Sequence, residues 1–254
     1  MICYGFGEKE VEEQTMTRTP IRTTIRTTIR TTIWMGLSIA MAATASGQEG
    51  KGKAVSAALP ADIHADSLNR LPLIKREQMD ENGKKVYDLH AGGAGKMVQR
   101  TGPSTISLYS PGVAEPLRRL NDYLRRKNSL LGDQVTELAI LVAAREMDSN
   151  YVWSAHEPTA QKVGVPQAAI DAVKFGKPLA GLGEKETVVI GVARQLFRDH
   201  KLDSATFAKT VALFGNQGTV ELIAVMGDYI VNSMLLNAWD QHLPPERKPL
   251  LPPR

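Results

Sequence analysis

The part of the chain that most constrains the fold is residues 115–239, where apolar residues recur at helical spacing. Leu117, Leu120 and Leu124, for example, fall on one face of a helix, and the neighbouring arginines fall on the other. Alanine and leucine are plentiful, whereas aromatic residues make up 6% of the chain, which favours helices over strands. Cap and turn residues divide the stretch into seven predicted helices, 115–127, 133–146, 150–163, 166–175, 185–200, 204–214 and 219–239. The sequence therefore predicts an all-α fold.

Residues 1–45 have the composition of a secretory signal. A repeated Ile-Arg-Thr-Thr unit places arginines ahead of an apolar run at 33–45, which ends in small residues at Ala45. The apolar run is too short for a membrane span, which needs roughly 20 residues. We expect a possible translation start at Met16, cleavage near Ala45, and a secreted or periplasmic protein that has no membrane contact after cleavage. An uncleaved amphipathic tail is the alternative.

Composition also predicts the remaining boundaries. Residues 46–70 are expected to form a flexible linker, because much of this segment is rich in glycine, lysine and alanine. Residues 71–243 are predicted to form the helical domain, and residues 244–254, with five prolines, an extended tail. The domain is expected to contain a long N-terminal loop segment at 91–112, rich in glycine, serine and proline. Loops of this length in compact domains are usually functional.

Several kinds of chemistry are disfavoured by what the chain contains. Its single cysteine, Cys3, lies in the region expected to be removed, so neither a disulfide nor a cysteine nucleophile is expected in the mature chain. No two histidines have metal-ligand spacing, and no nucleotide-binding glycine motif is present, so we expect neither a metal nor another cofactor. The net charge is +4, but the basic cluster at 118–127 is attributed to a solvated helix face, and no nucleic-acid partner is expected.

The chemically richest stretch is residues 150–157, which read Asn-Tyr-Val-Trp-Ser-Ala-His-Glu. It combines aromatic rings, a histidine and a carboxylate within one predicted helix. A neutral histidine can act as a general base near pH 7, so His156 is the leading candidate for a catalytic residue. Trp153 lies one turn earlier on the same side of the helix and is expected to wall the pocket. A packed core or interface histidine is the alternative interpretation of His156.

A set of residues resembles the carboxymuconolactone decarboxylase family, which belongs to the alkylhydroperoxidase D (AhpD)-like superfamily. The set comprises Thr-Glu-Leu-Ala-Ile-Leu at 136–141, the pattern Tyr151-x-Trp153-x-x-His156-Glu157-x-x-Ala160, Gly164-Val165 and Ile170. The resemblance covers about residues 102–237 and is to the cysteine-free branch. It implies an AhpD-like helical bundle that associates into homo-oligomers, often trimers or hexamers.

The resemblance also implies a partner for the histidine. The family's glutamate, nineteen residues before the histidine, matches Glu137. In one straight helix Glu137 and His156 would lie roughly 28 Å apart. We therefore predict that the chain turns back at 147–150, which has turn composition. In the peroxidase branch a CxxC pair precedes the histidine. The matching positions here are Ser149 and Val152, so the thiol mechanism is not carried over.

The resulting expectation is a carboxymuconolactone decarboxylase-like lyase that performs cofactor-free acid–base chemistry on a small organic acid or lactone. The expected catalytic residues are His156 and Glu137, and the residues expected at the substrate pocket are Trp153, Tyr151 and Glu146. One alternative is a non-catalytic oligomeric binding protein of the same fold. A second is peroxidase-like activity, which the missing CxxC pair disfavours.

Two smaller predictions concern residues inside helices. Pro158 removes a backbone donor two residues after the candidate histidine, so a kink is expected there. The last predicted helix carries a polar patch formed by Asp228, Tyr229 and Asn232. This patch could line the pocket or pair across a subunit interface, and we favour the interface.

Overall fold

The computed structural model describes residues 59–91, 101–127 and 129–254. The predicted signal region and the first part of the linker lie outside these residues. Within them the regular secondary structure is helical, and the β-type pairing consists of an isolated bridge between His64 and Asn69. The prediction of an all-α fold is confirmed.

One helix, α4 (Gly132–Glu146), forms the centre of the domain. Every residue from 135 to 144 is buried. A helix that is apolar on nearly every side needs neighbours on every side to cover it. The neighbours are four later helices: α5 (Asn150–Lys162), α6 (Gln167–Lys174), α7 (Glu184–Arg198) and α8 (Ser204–Ala238). Glu137 is the charged residue within this buried stretch, and its burial requires partners.

The residues before α4 form a smaller helical group with its own apolar cluster. In order, the elements are a 3₁₀ turn (Arg76–Gln78), α1 (Glu81–His90), α2 (Pro103–Ser107), α3 (Pro111–Asp122) and a π-helical turn (Tyr123–Lys127). Asp80 caps α1 by accepting a hydrogen bond from the backbone N–H of Gly83, at 2.6 Å. Val86, Tyr87 and Leu108 pack together between these helices.

The predicted loop at 91–112 differs from the structure in its second half, which contains α2 and the start of α3. Gly102 has a φ of 112°, which favours glycine, and Pro103 follows at the start of α2. Proline suits the first turn of a helix, where its missing N–H has no helical partner. The Gly-Pro pair that predicts a turn therefore starts a short helix. Residues 92–100 lie outside the described part of the chain.

The last helix, α8, joins two of the predicted helices, 204–214 and 219–239. Gly215, with a φ of 67° and a ψ of 177°, interrupts the regular backbone between them, where a turn is predicted. Among the described residues, α8 is the one helix long and apolar enough to cross a membrane by composition alone. Half of its apolar window is buried inside the domain, which is typical of a core helix.

The expected flexible linker is not flexible throughout, because its described part packs onto the helices. Ile63 and Asn69 are buried. The backbone N–H of Arg70 donates to the carbonyl of Trp239 at 2.9 Å, just beyond the end of α8. Hydrogen bonds to a distant loop hold a segment whose composition alone predicts mobility.

The proline-rich tail is docked along α5. The backbone N–H of Leu250 donates to Oγ of Ser154 at 2.9 Å, and Leu251 is buried. Arg254 donates to Oδ1 of Asp148 at 3.0 Å. The tail is thus part of the packed domain, and it also contributes to the site described next.

Candidate functional site

A sharp turn between α4 and α5 brings Glu137 and His156 together. The connecting residues, 147–149, include Asp148 at a φ of 47°, a conformation that aspartate tolerates better than most residues. Nδ1 of His156 lies 2.7 Å from Oε2 of Glu137. The predicted break in the helix is therefore present, and the contact depends on it.

Glu137 is buried and connects His156 to Arg125. Its Oε1 accepts a hydrogen bond from Nη2 of Arg125 at 3.3 Å. An ionised carboxylate can only accept hydrogen bonds, so a neutral His156 donates from Nδ1 and keeps its lone pair on Nε2. No described residue forms a hydrogen bond with that Nε2. The arrangement therefore leaves one proton-accepting atom free at the site.

His156 is part of the wall of a cavity of about 340 Å³. Helices α2, α3, α5 and α8 and the C-terminal tail all contribute to the lining. The arginines and carboxylates in this lining are Arg118, Arg125, Arg247 and Asp122. Asp122 lies 3.6 Å from Arg118, so these two charges offset each other. Glu137 likewise offsets Arg125, so Arg247 is the lining arginine without a carboxylate partner among the described residues, and it favours an anionic ligand.

Tyr151 lies at this cavity, as expected of a pocket residue. Its hydroxyl is 2.8 Å from Oγ1 of Thr101. Arg247 of the tail lies over its ring, 5.5 Å from the ring centroid. A side chain at Gly102 would come within 3.2 Å of the tyrosine hydroxyl, so this side of the cavity is tightly packed.

Trp153, in contrast, is not at the cavity, and the expectation that it walls the pocket is wrong. The residue is fully buried, and its Nε1 donates to Oε2 of Glu157 at 2.6 Å. Glu157 in turn accepts from Nζ of Lys174 at 2.7 Å. Positions 153 and 156 lie about 60° apart around a helix axis. The edge of the cavity falls between these two positions. The Trp153 ring therefore packs in the core, and His156 lies at the cavity.

Glu146 also lies away from the pocket. It is nine residues beyond Glu137 on the same helix, or about 14 Å along the axis. Its Oε2 accepts from Nη2 of Arg254 at 3.3 Å, beside a separate depression of about 190 Å³. The distance along α4 excludes it from the chemistry around His156.

Arg125 belongs to the site although the sequence places it on a solvated helix face. It lies in the π-helical turn that follows α3, where the wider backbone changes the direction of the side chains. Burial acts to lower the pKa of its guanidinium, but Tyr229 and Glu137 raise it, and the net pKa lies above its usual range. Nothing in the local sequence marks such a turn, so this residue could not be found from the sequence.

Tyr229 and Asn232 of the polar patch line the cavity rather than an outer face. The ring of Tyr229 meets the ring of His156 edge-on, with centroids 5.1 Å apart and planes at 84°. Asp228 is buried beside them and accepts from Nδ2 of Asn121 at 2.8 Å. Tyr229 and Asn232 thus lie at the cavity, and the preference for a subunit interface stays a prediction. Polar residues in an otherwise apolar helix were the signal for this wall of the site.

The positions that match a CxxC pair carry no thiol. Ser149 is buried and its Oγ has no hydrogen-bond partner among the described residues, and Val152 is part of the core. The single cysteine, Cys3, lies outside the described residues. In the part of the chain that the structure describes, no group of three or more potential metal ligands is found.

Comparison with known proteins gives a fold but no family. No family model matches the sequence, and no curated protein matches it. A peroxidase-related protein from Silicibacter sp. TM1040 superposes with a TM-score of 0.56 at 13% identity, over 72% of this chain and 95% of that one. An AhpD-core, peroxidase-related protein from Ralstonia eutropha JMP134 superposes with a TM-score of 0.55 at 13% identity, with the same coverage. The chain therefore has the helical fold of AhpD-like proteins.

Proposed function

We propose that the protein is a cofactor-free acid–base enzyme of the carboxymuconolactone decarboxylase type, acting on a small organic acid or lactone. The observation that carries this proposal is the pair formed by Glu137 and His156, with the free Nε2 of His156 at an arginine-lined cavity. A cavity of about 340 Å³ is large enough for a small organic molecule.

In this proposal His156 transfers the proton and Glu137 supports it. Nε2 removes a proton from the substrate, and the carboxylate of Glu137 stabilises the imidazolium that results. The same Nε2 then returns the proton to the product. Because Glu137 holds Nδ1, the ring stays in one tautomer and one orientation throughout the cycle.

The substrate's carboxylate is assigned to Arg247. This guanidinium lies over the Tyr151 ring and forms no ion pair with a described carboxylate. Arginine binds carboxylates with two parallel hydrogen bonds, and this geometry also sets the orientation of the substrate. Arg118 is less available, because Asp122 already lies beside it.

The test is a screen of small lactones, carboxylic acids and hydroperoxides with the wild-type protein and a His156→Asn variant. Asparagine keeps an N–H that can donate to Glu137 but has no counterpart of Nε2. We expect kcat to fall by roughly a hundredfold or more, because a general base of this kind is lost. His200→Asn is the matched control, since His200 is exposed and its φ of 57° suits asparagine. Equal turnover by the wild-type and His156→Asn proteins would contradict the proposal.

Two other functions are separated by the same screen. A non-catalytic binding protein would retain a carboxylate ligand through its arginines and turn over none of the compounds. A thiol peroxidase would consume hydroperoxides only as the uncleaved protein, which retains Cys3, the only thiol in the chain, and would lose that activity in a Cys3→Ser variant. Serine and valine at positions 149 and 152 favour acid–base chemistry over this peroxidase alternative.

We also propose that the protein is exported and that its signal is cleaved after Ala45. The support is the sequence of residues 16–45, with its arginines, apolar run and small-residue site. N-terminal sequencing of the exported protein should begin at Ser46. An N-terminus at Met1 or Met16 in the mature protein would contradict cleavage.

We further propose a homo-oligomer, a trimer or hexamer, that is formed through α8. This helix is buried on one side yet exposes an apolar row on the other, at Val220, Ile223, Val231 and Met234. The spacing of 3, 8 and 3 residues keeps the row on one face of the helix. Sedimentation of wild-type and Val220→Glu proteins tests this, with Leu89→Glu, an exposed apolar position on α1, as the control. A wild-type monomer, or one that binds lipid vesicles instead, would contradict it.

A further inference from the structure

We propose that Tyr229 and Arg125 hold the substrate oxygen that gains negative charge in the reaction, which makes enolisable carbonyl acids the substrate class. This inference rests on the proposed function, because it supplies the anion-stabilising half of the same site. Proton removal from carbon is difficult unless the resulting charge is stabilised. The pair Glu137 and His156 provides a base but no donor for that charge.

The geometry places Tyr229 directly beside the base. Its ring meets the His156 ring edge-on at 5.1 Å, and both residues line the same cavity. Tyr229 comes from α8, whereas His156 comes from α5, so the base and the donor approach a bound molecule from different helices.

The hydroxyl of Tyr229 lies among polar groups rather than in an apolar core. Asn121 acts to lower the pKa of this hydroxyl, and its own side chain donates to Asp228 at 2.8 Å. Arg125 lines the same cavity, and its positive charge acts to lower the pKa of the hydroxyl. A tyrosine that served only as packing would not need two polar groups at its hydroxyl.

Tyr229 is a neutral donor at every physiological pH. Burial raises the pKa of its hydroxyl to about 12, and Arg125 and Asn121 only partly oppose this effect. The O–H is therefore retained and can donate to an oxyanion, while Arg125 supplies a positive charge nearby. Donors of this kind act strongly in sites from which water is excluded.

The chemistry balances with the site residues and, for decarboxylation, one proton from water. Nε2 of His156 takes the proton as the C–H bond next to the carbonyl breaks. The electron pair forms a C=C bond, and the carbonyl pair moves to the oxygen held by Tyr229. In a β,γ-unsaturated substrate this enolate is a dienolate, and return of the proton to the γ-carbon gives an isomer. In a β-keto acid the C–CO₂⁻ bond breaks instead and the same enolate forms. His156 in its imidazolium form, which takes its proton from water before the substrate binds, protonates the enolate after CO₂ leaves.

The test uses 4-nitrophenolate, an anion whose oxygen resembles an enolate oxygen and whose absorbance reports its ionisation. Tyr229→Phe keeps the ring and its contact with His156 but removes the donor. We expect this variant to bind the phenolate about tenfold or more weakly than wild type, as for a lost hydrogen bond to a charged group. Tyr109→Phe, which removes a hydroxyl that donates to the carbonyl of Pro72 outside the cavity, is the matched control and should bind within about twofold of wild type.

The outcomes separate this inference from the proposed function. Phenolate binding that is equal in wild-type and Tyr229→Phe proteins, or absent from the wild type, would overturn the inference. Arg125→Gln should also weaken binding, which checks the result if the tyrosine variant folds poorly. Phenolate binding is measured without turnover, so a failed turnover screen would remove the proposed function, whereas the donor role of Tyr229 would still be tested by the binding measurement.

Discussion

On two sides of α5, a ring nitrogen, a carboxylate and a cation are joined by hydrogen bonds in the same order. The sealed triad consists of Trp153, Glu157 and Lys174. Its two hydrogen bonds measure 2.6 and 2.7 Å. The side chains of Glu157 and Lys174 are 7% and 13% exposed, and Trp153 is fully buried. The three side chains of this triad are thus mostly enclosed by the protein.

The open triad consists of His156, Glu137 and Arg125, with contacts of 2.7 and 3.3 Å. Here the cation is 35% exposed, and the ring borders the cavity. An indole has one nitrogen, which the carboxylate occupies, whereas an imidazole keeps a second nitrogen after the first is bound. Similar hydrogen bonds therefore leave no ring nitrogen free on one side of the helix and one ring nitrogen free on the other.

The largest expected effect is on stability and comes from the sealed triad. Glu157→Gln leaves the charge of Lys174 buried without a partner, which should cost roughly 3 kcal/mol or more of unfolding free energy. Glu137→Gln, the same change in the open triad, should cost about 1 kcal/mol or less, because water can solvate the exposed guanidinium of Arg125. Urea unfolding of both variants measures the difference.

The effects of the two variants on turnover should have the opposite order to their effects on stability. Under conditions where both variants are folded, Glu137→Gln should lower kcat, because the tautomer of His156 is no longer held, whereas Glu157→Gln should leave it near the wild-type value. Equal stability losses, or a turnover loss in Glu157→Gln alone, would remove the distinction between the triads.

The next largest expected effect is a loss of folding stability at alkaline pH, which arises beside the open triad. Tyr229 borders the open triad, and burial raises the pKa of its hydroxyl from about 10 to about 12. Above pH 10 the unfolded chain releases this proton while the folded protein retains it, so stability falls as the pH rises. The loss should reach about 2–3 kcal/mol by pH 12 relative to Tyr229→Phe. Unfolding curves of wild type and Tyr229→Phe at pH 9, 10 and 11 measure this difference. Equal losses of unfolding free energy in the two proteins would contradict the burial of the Tyr229 hydroxyl.

The smallest effect is the salt dependence of the two ion pairs. A double-mutant cycle between Arg125 and Glu137 should give a coupling of about 0.2–1 kcal/mol that shrinks at high salt, as for a partly exposed pair. The cycle between Lys174 and Glu157 should give a larger coupling that salt changes little. A salt-insensitive Arg125–Glu137 coupling would mean that the open triad is as enclosed as the sealed one.

Much of the fold could be predicted from the sequence, because helices depend on local spacing. The turn at 147–150 followed from its residues and from the need to bring Glu137 near His156. The short helix α2 was missed because glycine and proline are typical both of loops and of helix starts. The described part of the linker was missed because its partners, such as the carbonyl of Trp239, lie far along the chain.

The site was predictable only where a single helix or the family resemblance defined it. Helical spacing gives the angle between Trp153 and His156 around α5, but it does not say which of them faces the core. Arg125 and Tyr229 reach the site from two other elements, and their contacts with Glu137 and His156 join residues far apart in sequence. No local pattern records such contacts.

By itself, the sequence determined the helical class, the break between α4 and α5, and the candidate base, since each depends on residues close together in the chain. Only the tertiary structure decided that Trp153 belongs to the core and that Tyr229 and Arg125 belong to the cavity. The physical reason is that the exposure of a side chain depends on which distant helices cover it. The packing of these helices decided that the ring of His156, rather than that of Trp153, keeps a nitrogen free at the cavity.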